Sequence, residues 1–161
     1  MSATELSALL WRERELLELL IFKLEEEQLL LTAGKSRWIQ HATREVEQVM
    51  NLLRESALGR TVAVASLAME WGTAEDASLR DLVDNAPAGP WSEIFMAHLA
   101  AMSDLTAQIR ELRDVNLQFL RSAARGVQET LATIDMNAAT YDSTGSTDSS
   151  SPGARFFDQK L

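Results

Sequence analysis

The chain of 161 residues contains no cysteine, one tyrosine, two histidines, three prolines and seven glycines. The absence of cysteine excludes disulfides, a thiolate nucleophile and zinc held by sulfur. With so few helix breakers, the 46% hydrophobic and 24% charged residues favour helices over a sheet-rich fold. No apolar run exceeds four residues, as in Leu19 to Phe22, whereas spanning a bilayer takes about 20. The opening MSATELSALLWRERE has no basic stretch ahead of a continuous apolar one and does not read as a signal peptide. A cytoplasmic protein without direct membrane insertion is therefore expected. The net charge of -9, with no basic stripe, argues against a nucleic-acid partner.

Catalytic chemistry is equally thin. Helical di-metal centres need Glu-x-x-His pairs, but Trp38 stands three residues before His41 and Phe95 three before His98. Gly34, Lys35 and Ser36 look like the end of a phosphate-binding loop, yet Leu29 occupies the position that must be glycine. No enzyme activity, cofactor or metal site is expected, and the run Glu25, Glu26, Glu27 reads as a solvated face.

What is present is helical periodicity. From Trp91, apolar residues recur at steps of three and four through Phe95, Met102, Leu105, Ile109, Leu112, Phe119 and Ala123, with His98 and Asn116 as polar stations in the seam. The steps then become four through Val127 and Leu131, which relaxes a supercoil toward a straight helix. A helix over residues 91–135 would be about 67 Å long at 1.5 Å per residue. Residues 5–31 read as a first helix with Thr4 as N-cap, apolar broadly enough to touch two neighbours. A second runs from Ser36 to Trp71, with Gly59 as a candidate bend, and the short link at residues 32–35 makes the two an antiparallel hairpin. Ser78 and Asp81 form a capping-box pattern for a short turn over 79–85. Pro87, Gly89 and Pro90 then break the chain before Trp91.

The expected fold is all-α: an elongated antiparallel hairpin within a three-helix, coiled-coil-like bundle, with the 73–90 connection closing one end. Residues 1–140 form the helical domain and 141–161 a Ser/Gly-rich tail. The tail's stretch DSTGSTDSSSPG has no apolar side chain and reads as a flexible linker. Phe156 and Phe157 beyond it suggest either a docking peptide or a strap that folds back.

The strings LLWRERELLELLIFKLEEEQLLL from Leu9 and TAGKSRWIQHATREVEQVMNLLRE from Thr32 resemble the actinobacterial type of the FlgN family. So do WGTAEDASLRDL, the Pro-Gly-Pro break and Thr140, Tyr141, Asp142 after the long helix. The resemblance covers residues 5–142. It implies a cytosolic chaperone of flagellar type III export that binds the C-terminal helices of the hook-filament junction proteins FlgK and FlgL. It also implies docking on the export gate protein FlhA through a tyrosine just after the long helix, a position held here by Tyr141. Phe156 and Phe157 are the alternative docking residues.

Matching helix lengths leaves the end of the long helix beyond the hairpin turn. Val127, Leu131 and Ile134, flanked by Leu120 and apolar residues of the first helix, are therefore the candidate substrate-binding residues. A structural coiled-coil or adaptor that buries this surface by self-association is the competing reading.

Overall fold

The computed structural model describes residues 2–140. It contains four helices: α1 (Ala3–Thr32), α2 (Ser36–Glu70), α3 (Leu79–Asp84) and α4 (Trp91–Thr140). There is no strand among the described residues, so the all-α bundle read from the sequence is the observed fold class. The chain divides into two units, Met1–Phe119 and Leu120–Leu161. Tyr141, Phe156, Phe157 and the Ser/Gly-rich stretch lie outside the described residues.

In the first unit, α1 starts earlier than Thr4 would have it. Ser2 is the N-cap: its Oγ accepts from the Glu5 amide at 3.3 Å, and its own amide donates to Glu5 Oε2 at 2.6 Å. This reciprocal pair satisfies two otherwise unpaired donors. Thr4 cannot do the same, because the residue three further on is Ser7, which brings no carboxylate. Gly34, at φ 66°, then turns the chain: its amide donates to Leu31 O and that of Lys35 to Leu30 O. Gly72, at φ 72°, ends α2 with the same pair of bonds, to Met69 O and from Thr73 to Ala68 O. Both sites need the left-handed conformation that glycine adopts without strain. Between them α2 is continuous through Gly59.

The antiparallel hairpin is visible in its cross-links. Arg60 meets Glu13 at 3.1 Å, Lys23 meets Glu45 at 2.8 Å, and Thr43 donates to Glu27 at 2.9 Å. Higher numbers on α1 thus pair with lower numbers on α2. Against α4 the order is parallel, since Ser7 meets His98 and Leu24 meets Asn116.

The short α3 closes one end, as expected of the connection. A capping box sets it, with Asp81 N donating to Ser78 Oγ at 3.2 Å and Ser78 N to Asp81 Oδ2 at 2.7 Å. The Ser78 hydroxyl, which donates to Asp81 Oδ2 at 2.6 Å, and then the Ser78 amide hold the Asp81 carboxyl below its ordinary pKa. The helix sends Leu79, Leu82 and Val83 into a core with Leu6, Leu10, Val64, Leu67 and Phe95. Trp71 and Trp91 flank Phe95 at ring separations of 6.0 and 5.6 Å. A second core cluster joins Leu20, Leu24, Val46, Val49 and Ile109.

The acidic run of α1 is not uniformly solvated. Glu25 is exposed, but Glu27 is only 4% exposed. It follows Leu20 and Leu24 on the inner face and accepts from both Thr43 and Asn116, the latter at 3.0 Å. Two donors compensate for the water the carboxylate gives up. Asn116 also donates to Leu24 O at 2.9 Å, so the polar station in the seam locks α4 against α1 in one register.

Candidate functional site

The buried imidazole of the first unit is engaged from α1. His98 has Ser7 Oγ 3.2 Å from Nε2 and an Arg14 nitrogen 3.5 Å from Nδ1. A guanidinium only donates, so Nδ1 accepts and the single proton sits on Nε2, facing Ser7. Burial, and secondarily the Arg14 charge, hold this imidazole below its usual pKa, in agreement with the neutral tautomer. Trp11 meets the ring edge-on at 5.1 Å and carries the Arg14 guanidinium over its own ring, 4.1 Å from the centroid. His41 contacts Trp38 at 5.6 Å. Among the described residues there is no group of three or more His, Asp or Glu able to hold a metal ion. None of the described helices is long and apolar enough to cross a membrane.

The described part of the second unit is the last stretch of α4, from Leu120 to Thr140. Val127, Leu131 and Ile134 are 60%, 55% and 56% exposed, and Leu120 is partly buried. At 3.6 residues per turn, these four side chains fall within an arc of about 60°. Arg121, Arg125 and Glu129 lie at least about 80° from all four on the same wheel, and Asp135 borders the stripe about 40° from Leu131. The hydroxyls of Thr130 and Thr133 are spent on their own helix, donating to Gly126 O and Glu129 O at 2.9 Å each. The result is an aliphatic stripe bordered by a single carboxylate, Asp135, and suited to contact with an apolar surface. All four sequence-chosen residues of α4 thus share one face.

Two features of the first unit escaped the sequence reading. One is the buried Glu13, joined to Arg60; the other is a groove beside it, bounded by α2, α3 and α4. The period of α1 would have flagged Glu13, since it lies at inner-face spacing from Leu6, Leu10 and Leu20.

Comparison with protein-family models matches residues 1–149 to FlgN, described as FlgN protein. The match therefore takes in the whole of α1 to α4 and the position of Tyr141. No curated protein and no solved structure matches the chain.

Proposed function

The chain belongs to the FlgN family of flagellar export chaperones, and from that premise we propose that it works in the cytosol on the hook-filament junction proteins FlgK and FlgL. In this reading the last turns of α4 hold the C-terminal amphipathic helix of either substrate, and Tyr141 docks the loaded chaperone on the export gate protein FlhA. The observation that carries it is the aligned aliphatic stripe of Val127, Leu131 and Ile134, more than half exposed and continued by the partly buried Leu120. An apolar helix face of this kind receives a partner helix through anchors spaced three and four apart. Burying a large aliphatic side chain contributes about 1.5 to 3 kcal/mol, so three or four anchors suffice for a reversible complex.

The test is calorimetric titration of the full chain with the C-terminal segments of FlgK and FlgL from the same genome. A complex of one chaperone with one segment supports the proposal. A tight oligomer at micromolar concentration that takes up neither segment would instead make the protein a structural coiled coil acting by self-association. The docking step is read separately, from binding of the loaded complex to the cytoplasmic domain of FlhA.

A further inference from the structure

We propose that the groove bounded by α2, α3 and α4 is a second docking site, which takes an acidic amphipathic helix of a partner protein. It lies wholly within the first unit and uses none of the residues assigned to FlgK or FlgL. The groove holds about 780 Å³. At one end α3 inserts Leu79, Leu82 and Val83 into the core shared with α2 and α4. Beside Val83 and Asp84 the channel is open, with Glu13 and Leu17 of α1 in its lining.

The α4 wall is built for a helix. Met96, Ala100, Ser103, Ala107 and Arg110 recur at steps of four, three, four and three, and all are exposed. This is a second seam on α4, about 21 Å long, the length of a four-turn helix. Its small central residues let a partner backbone come close, while Met96 adapts its shape at the end.

Charge selects the occupant. In a chain of net charge -9 the groove is lined by Arg60, Arg80 and Arg110 against Glu13 and Asp84. Arg60 is held by Glu13, but Arg80 and Arg110 are exposed and make no ion pair among the described residues. They are available to carboxylates flanking an apolar helix face.

The probe is a fluorescein-labelled four-turn peptide with leucines at heptad spacing and glutamates on the flanks, compared with its lysine-flanked counterpart. Anisotropy with the full chain should show the acidic peptide binding more tightly, with an affinity that falls as salt rises. Reversing both free arginines, Arg80→Glu with Arg110→Glu, should weaken it by about tenfold or more, with helix content unchanged because both are exposed. Ala107→Trp, which fills the groove, should weaken it as well. Leu131→Ser with Ile134→Ser should leave it unaltered, and this arm separates the groove from the FlgK and FlgL site. Binding of neither peptide, equal binding of the lysine peptide, indifference to the arginine reversal or to Ala107→Trp, or loss in the Leu131 and Ile134 variant would each overturn the proposal.

Discussion

Replacing Leu131 and Ile134 together by serine separates a binding surface from a core. Both side chains are already 55% and 56% exposed, so only the exposed share remains to be buried by a substrate helix. Full burial of a large aliphatic side chain contributes about 1.5 to 3 kcal/mol. Slightly more than half of that, for two side chains, is about 1.6 to 3.3 kcal/mol. At 1.4 kcal/mol per tenfold, the substrate Kd should rise by roughly 15- to 230-fold. Stability should hardly respond, since exposed substitutions stay within about 0.5 kcal/mol each, or a few degrees in Tm for a chain of this length. Titration with the FlgK segment and thermal unfolding by circular dichroism read the two quantities on the same sample. An unchanged Kd would remove the stripe from the substrate site. A Tm lowered by much more than a few degrees would show that the two side chains support the folded protein.

Tyr141→Ala should leave helix content and FlgK binding as they are while weakening capture of the loaded complex by the FlhA cytoplasmic domain; equal capture would shift attention to Phe156 and Phe157. Leu82, fully buried in the core that α3 completes, should cost about 2 to 5 kcal/mol when cut to alanine, measured by urea unfolding, and a cost below about 1 kcal/mol would mean α3 is not part of the cooperative unit. His98 sits below its ordinary value of 6.5 in the folded chain through burial and Arg14. The unfolded chain therefore takes up the proton first, and this contribution to stability is complete above pH 6.5 and lost as pH falls below it. His98→Gln should flatten that part of the profile relative to wild type. Glu13, pushed up by burial despite Arg60, acts in the opposite sense from pH 4.5 upward and is common to both chains, so it drops out of the difference.

The polar stations show why so much of the fold could be read in advance. A histidine and an asparagine in an apolar seam of period 3.5 must be either register pins or errors, and Asn116 proves to hold Leu24 and Glu27. Helix ends were legible wherever a local code sufficed, at Gly34, Gly72 and the Ser78–Asp81 box, because both partners lie within five residues of each other. Ser2 obeys the same code with Glu5 three residues on, whereas Thr4 has Ser7 at that spacing. Glu27 was not legible, because what permits its burial lies on other helices: Thr43 and Asn116 become its neighbours only once all three helices have met. The groove is less legible still. Its α4 wall is a row of small, polar and charged residues that the hydrophobic period discards as outward-facing, and its lining is completed by Arg60 and Arg80 from other elements. A pattern read one helix at a time reports which face goes inward. It does not report the space between two helices whose separation is set by a third, and here that space is lined by Arg80, Val83 and Asp84 of the six-residue α3.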